Sequence, residues 1–149
     1  MLVSYPALTD LHAGHAKVGD RELAQIARAS TLEKLFIQAN PFSDAGACEL
    51  GHLVRLRALD VHATRVGDLA MTALSGLPAL EELDLAETQV GVLGIRALAS
   101  ARTLRRLGLS WDVSDDVNAA AKLLAGVNHE WNDYHGGGGA LWSSNSDGG

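Results

Sequence analysis

Asp60, His62 and Asp84 are the residues of this 149-residue chain whose types and spacing best suit chemistry. Carboxylates and imidazole rings bind divalent metals, and a histidine beside a carboxylate can also transfer protons. Asp60 and His62 are two positions apart, which places them on one face of a strand. Asp84 follows 24 residues after Asp60 in a similar segment. A metal-dependent enzyme at these three residues is therefore one hypothesis.

The remaining reactive residue types do not form a catalytic set. His12 and His15 are three positions apart, so they face opposite ways on a strand. Cys48 is the only cysteine, which excludes an intrachain disulfide and a cysteine-based zinc site. No glycine-rich phosphate loop with its lysine lies between a strand and a helix. We expect no cofactor, no metal centre and no enzyme activity, because three ligands on an open, wet surface would hold a metal weakly.

The elements that position these side chains follow from an internal repeat. Leucine recurs every 24 residues, a second leucine follows three positions later, and a third apolar or small residue comes two positions after that. An alanine-rich helical segment completes each copy. One copy cannot bury its leucines alone, so stacked copies must share one core. The five copies begin near Leu8, Leu32, Leu56, Leu80 and Leu104.

The unit LxxLxLxx(N/T)x(V/F), with its helical segment, resembles the leucine-rich repeat, and its length resembles the ribonuclease-inhibitor-like or GALA type. The resemblance implies an α/β solenoid, curved, with a parallel sheet on the concave face and helices on the convex face. Packing favours the same curvature, because helices are wider than the strand spacing of about 4.8 Å. We expect the array at residues 1–128, a partial terminal repeat or cap at 129–135, and a flexible Gly/Ser-rich tail at 136–149.

Side chains that flank the inward leucines should be exposed in rows on the concave face. Asp60 and Asp84 are then neighbours, and their repulsion of roughly 1–3 kcal/mol is evidence for a basic partner. An ordinary solvated polar face is the other interpretation, and most runs of charge are of that kind. Phe36 lies in the same row, either as a contact anchor or packed against an N-terminal region. The predicted partner-binding residues are Phe36, Asp60, His62, Glu82, Asp84, Arg106, Trp111 and Tyr134.

The two ends of the array need covering, since a solenoid exposes core leucines there. The segment "MLVSYP" is short for a cap, so either it suffices or the chain is cut from a longer protein. The sixth copy is due at Asn128, which puts Trp131 at the second leucine position and Glu130 in the row of Arg106. An aromatic lid over that end would consist of Trp111, Trp131 and Tyr134.

Composition narrows the class of partner. The formal net charge of −6 lacks the positive charge that nucleic acids and anionic membrane surfaces attract. The sequence has no run of 18 apolar residues that could span a membrane, and its first ten residues lack the pattern of a secretory signal. We expect the protein in the cytoplasm, or in a host cell after translocation.

Recognition of another protein through the concave face is the predicted function. The resemblance to GALA-type repeats suggests the recognition part of a bacterial effector delivered to host cells, with any ligase or other activity outside this chain. The alternative is a free-standing scaffold that self-associates weakly through the ends of its solenoid. An enzyme at Asp60, His62 and Asp84 is the third hypothesis.

Overall fold

The computed structural model describes residues 8–132 of the chain, with side chains through residue 130. Strands and helices alternate along the sequence, one pair for each repeat. Short 3-10 turns at Cys48–His52 and Leu98–Ser100 extend the second and fourth helices. The elements are β1 (Asp10–His12), α1 (Asp20–Ile26), β2 (Lys34–Phe36), α2 (Asp44–Ala47), β3 (Ala58–Asp60), α3 (Asp68–Leu74), β4 (Glu82–Asp84), α4 (Val92–Ala97), β5 (Arg106–Ser110), α5 (Asp115–Lys122) and β6 (Asn128–Asn132).

The strands form one parallel sheet in chain order from β1 to β6, with every helix crossing back to start the next strand. From β1 to β5 the register follows the 24-residue period. Leu59 pairs with Leu83, and Asp60 pairs with Asp84. The predicted rows of equivalent side chains are therefore confirmed for the first five strands.

A ladder of leucines between the sheet and the helices forms the core. The second leucine of each repeat from β2 onward is fully buried, and the first leucines lie beside it. Each fully buried leucine contributes roughly 1.5–3 kcal/mol of hydrophobic stabilisation. The fully buried second leucines are Leu35, Leu59, Leu83 and Leu107.

Each of the first four strands leaves the sheet through a residue in the left-handed region, where a side chain is strained. These residues again recur every 24 positions and have φ of 54–56°. Small polar residues follow the turns at Ala39, Ala63 and Glu87 and bond nearby backbone: Nδ2 of Asn40 donates to the carbonyl of Ile37, and the hydroxyls of Thr64 and Thr88 donate to the carbonyls of Val61 and Leu85. The left-handed residues are His15, Ala39, Ala63 and Glu87.

Aspartates connect successive helices in a second ladder that the sequence analysis missed. An aspartate at the first residue of one helix accepts hydrogen bonds from two backbone N–H groups at the start of the next helix, at N···O distances of 2.7–3.3 Å. Because the first N–H groups of a helix have no partner inside it, these carboxylates act as caps from the preceding repeat. The rungs join Asp20 to Ser43 and Gly46, Asp44 to Gly67 and Ala70, and Asp68 to Gly91 and Gly94.

The ladder ends where the repeat becomes irregular. Val92 occupies the position of the next aspartate, and α5 is capped instead by its own Ser114, whose hydroxyl oxygen accepts from the Val117 N–H at 3.3 Å. For the residues that the structure describes, no helix is long and apolar enough to cross a bilayer.

The sixth strand departs from the predicted register. Arg106 pairs with Asn128 and Leu109 pairs with Trp131, so equivalent positions are 22 residues apart rather than 24. The expectation that Trp131 occupies the second leucine position, and that Glu130 pairs with Arg106, is therefore wrong. The physical reason is that the connection from β5 to β6 is two residues shorter than the earlier connections, so the count of 24 no longer gives the strand partner.

Candidate partner-binding face

Arg106 organises the charged part of the concave face. Its guanidinium lies 3.6 Å from a Glu82 carboxylate oxygen on β4 and 2.6 Å from Oε1 of Glu130 on β6. A second nitrogen, Nε, donates to the same Glu130 oxygen at 2.9 Å. All three side chains are partly exposed, so the bonds hold them in place while leaving polar atoms available to a partner. Glu130 reaches Arg106 although its backbone lies two positions further along its strand.

Asp60 and His62 are joined by two hydrogen bonds. Oδ1 of Asp60 accepts the His62 backbone N–H at 3.0 Å, and Nδ1 of the His62 ring lies 2.7 Å from the same oxygen. Burial of the ring opposes protonation, but the bond to Asp60 and the negative charges of Asp60, Asp84 and Glu87 outweigh it and raise the pKa of His62 above 6.5.

The predicted exposure of Asp60 and Asp84 is wrong. Their exposed fractions are 0% and 1%. Each short side chain folds back on its own strand end, where Asp60 accepts the His62 N–H and Asp84 accepts the Ala86 N–H at 3.0 Å. A carboxylate satisfies a backbone donor two residues ahead in this way, so the pair is part of the structure of the turn as well as of the face.

Phe36 is also buried, at 4% exposed, where the sequence analysis expected an exposed aromatic. Its ring stacks on His12 from β1, with centroids 4.4 Å apart and an interplanar angle of 22°. Aromatic stacking of this kind contributes roughly 0.5–1.5 kcal/mol beyond burial. Phe36 thus contacts the neighbouring repeat, and only His12 of that stack is exposed.

Trp111 is the exposed large aromatic near the other end of the array, with 61% of its surface accessible. It lines a cleft between the turns that follow β4 and β5, together with Glu87, Val90, Ser110 and Val113. The Ser110 hydroxyl accepts the Glu87 backbone N–H at 2.6 Å and so ties the two turns together. Tyr134 and the tail at 136–149 lie outside the described residues, as does the side chain of Trp131.

The structure places seven of the eight predicted site residues, and the eighth, Tyr134, lies outside the described residues. His62, Glu82 and Arg106 lie partly exposed on the concave face, and Trp111 is exposed beside it. Lys34 and Gln38 are partly exposed on the same face, and the sequence analysis left them out although they occupy the same rows. The 24-residue period could have identified both residues, because the position of one side chain in a row predicts the positions of all its equivalents. The buried members are Phe36, Asp60 and Asp84.

Comparison with known proteins identifies the architecture. No protein-family model matches the sequence, and no curated protein matches it. Among solved structures, leiomodin-1 actin-binding site 2 is similar with a TM-score of 0.64 over 83% of this chain and 82% of that one, at 14% identity. The chain has the leucine-rich repeat fold. An internalin of Listeria monocytogenes is similar at 23% identity and a TM-score of 0.49, over 74% of this chain and 36% of that one.

As a leucine-rich repeat solenoid, the chain is curved with its parallel sheet on the concave side and its helices on the convex side. The leucine-rich repeat fold and this arrangement of layers confirm the predicted fold class. At these levels of identity the likeness shows the fold and no more.

Proposed function

We propose that this leucine-rich repeat chain is a protein-binding module that recognises its partner through the concave strand face. The observation that carries the proposal is the register of β1 to β5, which aligns partly exposed polar side chains of neighbouring repeats on one face, in rows that are interrupted by buried Ala58 and Ala86. These side chains are Lys34, Gln38, His62, Glu82, Arg106 and Ser110. Polar groups that hydrogen bonds already hold in place can match a complementary surface with little loss of conformational entropy. An enzyme is not proposed.

The centre of the recognition surface is the charge network of Glu82, Arg106 and Glu130. Its bonds fix three long side chains that would otherwise lose rotamer freedom on binding. Trp111 at the rim supplies an aromatic anchor of the type that dominates binding energies. Because Asp60 and Asp84 are buried, the acidic character offered to a basic partner comes from Glu82 and Glu87 rather than from the aspartate pair.

The biological setting forms part of the same proposal. The repeat length resembles the ribonuclease-inhibitor-like or GALA type, which supports a bacterial effector that acts in a host cell, with the cytoplasm as the alternative location. Leiomodin-1 carries an actin-binding site on a similar fold, which is consistent with a protein partner. The net charge of −6 supports a protein partner over nucleic acid or an anionic membrane.

The test compares two double variants of matched charge. Glu82→Ala with Arg106→Ala alters the concave face, and Glu49→Ala with Arg96→Ala alters exposed positions of the helical side. Partners captured from bacterial and host lysates are purified, and their affinities for the three chains are measured by calorimetry. We expect the concave variant to bind on the order of ten-fold more weakly and the helical-side variant to bind as the parent does. Equal losses in both variants would refute the concave-face proposal.

Self-association is the second candidate, and Leu123 favours it. This leucine directly follows α5, the last helix of the described residues, and is 81% exposed. An exposed leucine at the end of a stack suits contact with another copy. Mass measured by light scattering should then rise with protein concentration, and Leu123→Ser should abolish the rise. A constant monomer mass up to high concentration would exclude this alternative.

A further inference from the structure

Asp60 presents a buried oxygen that the hydrogen bonds of the fold do not satisfy. Its Oδ1 is bonded to the backbone and ring of His62, whereas Oδ2 is buried and has no hydrogen-bond partner within the described chain. The whole side chain is 0% exposed, so bulk water does not solvate this oxygen. A buried, unsatisfied carboxylate oxygen is costly, and proteins normally retain one only where a proton, a water or a cation completes it.

Two further residues with possible metal-ligand atoms lie close to Asp60. Asp84 lies beside Asp60 on the neighbouring strand in exact register, and His62 lies two residues along from Asp60 on the same face. One ligand atom from each of these three residues lies within 4.8 Å of the others. Two carboxylates at this distance repel each other, and a divalent cation between them would relieve that repulsion.

We propose that Asp60, His62 and Asp84 form a binding site for one divalent transition-metal ion, with Zn²⁺ as the favoured occupant. The site does not depend on the proposed partner recognition. Two oxygens and one nitrogen suit zinc and its first-row neighbours, whereas Ca²⁺ and Mg²⁺ prefer oxygen ligands alone. Three protein ligands leave the fourth position of a tetrahedral ion to a water molecule.

The geometry allows the ion to enter through small side-chain movements. Ligand atoms bonded to one tetrahedral zinc at about 2.0–2.1 Å are separated by about 3.3 Å. The His62 Nδ1 to Asp60 Oδ1 distance of 2.7 Å and the 4.8 Å limit of the cluster lie on either side of that value. The strands that hold the ligands are central in the sheet, so their backbone positions are fixed by ladders on both sides. The sequence analysis excluded a metal because it placed these residues on an open, wet surface, and their burial removes that objection.

The experiment uses the full chain, dialysed against EDTA and then titrated with Zn²⁺ alone. We expect one tight site per chain, and we expect Asp60→Asn and Asp84→Asn each to weaken it on the order of 100-fold or more, since even outer-shell changes cost about 10–100-fold. Glu82→Gln is the matched control, because it removes one negative charge from β4 without removing a ligand. Equal weakening by Glu82→Gln and Asp84→Asn would mean general attraction by charge and would overturn the proposal.

A second measurement on the unaltered chain keeps the test independent of how the variants fold. Zn²⁺ should shift the ring resonances of His62 in NMR spectra with the same midpoint as the titration. Co²⁺ in place of zinc should give the visible absorption of a four-coordinate ion. Unchanged His62 resonances at saturating Zn²⁺, or binding that survives Asp60→Asn in a folded protein, would refute the site.

Discussion

Removing Asp68 should break one rung of the aspartate ladder and destabilise the whole solenoid. Its Oδ1 accepts the N–H groups of Gly91 at 2.7 Å and Gly94 at 2.9 Å. Gly91 is the N-cap of α4 and has no side chain of its own to cap that helix. Asp68→Ala therefore leaves two backbone donors of a neighbouring repeat without their acceptor, which couples the stability of one helix to the sequence of another.

The magnitude follows from the number and kind of bonds lost. A hydrogen bond to a charged group contributes about 1.5–3 kcal/mol net, and loss of a helix cap costs about 0.5–2 kcal/mol. Asp68 is only half-buried, so water replaces part of the loss. We expect Asp68→Ala to lower the free energy of unfolding by about 2 kcal/mol, which corresponds to about 4–8 °C in Tm for a chain of this size.

Urea unfolding followed by circular dichroism measures this difference. Asp112→Ala is the control, because Asp112 is exposed in the turn after β5, and it should change stability by less than about 0.5 kcal/mol. Asp68→Asn keeps an oxygen acceptor but loses the charge, so its free energy of unfolding should lie between those of Asp68→Ala and Asp112→Ala. If Asp68→Ala is no less stable than Asp112→Ala, the ladder does not stabilise the array and the reasoning is wrong.

Three further changes test other parts of the structure by the same unfolding assay. Ala63→Gly should stabilise by about 0.5–1 kcal/mol, because Ala63 has φ of 56°, whereas Ala73→Gly inside α3 should destabilise by about 1 kcal/mol; the reverse order would contradict the strained turn. Gly94→Ala should lower the free energy of unfolding by about 1 kcal/mol although alanine has a higher helix propensity than glycine, because the added Cβ would lie 2.5 Å from Oδ1 of Asp68. A gain in stability would mean that the Asp68 side chain moves aside at no cost. The raised pKa of His62 should make the metal-free protein most stable below pH 6.5 and less stable as pH rises through that pKa, and a slope that persists in His62→Gln would assign it to another group.

The sequence predicted the sheet order and the pairing of the first five strands. The reason is that a fixed period leaves one way to stack equivalent leucines, so the partners of Leu59 and Asp60 follow from counting. It failed at β6, where the connection is two residues shorter and the count no longer applies. It also missed the aspartate ladder, although Asp20, Asp44 and Asp68 recur with the same period. The recurrence of these aspartates is visible in the sequence. It does not show which backbone N–H groups each carboxylate contacts, because that depends on where the next helix begins.

For the candidate site too, the sequence predicted some features and not others. The sequence by itself determined which residues share the concave face and which are neighbours, because side-chain direction alternates along a strand and the period sets the rows. Only the tertiary structure decided their exposure: Phe36 stacks on His12, Asp60 and Asp84 turn back to backbone donors, and Arg106 reaches Glu130 across a shifted register. Burial and hydrogen bonding depend on distances between side chains of different repeats, and a one-dimensional pattern does not contain those distances.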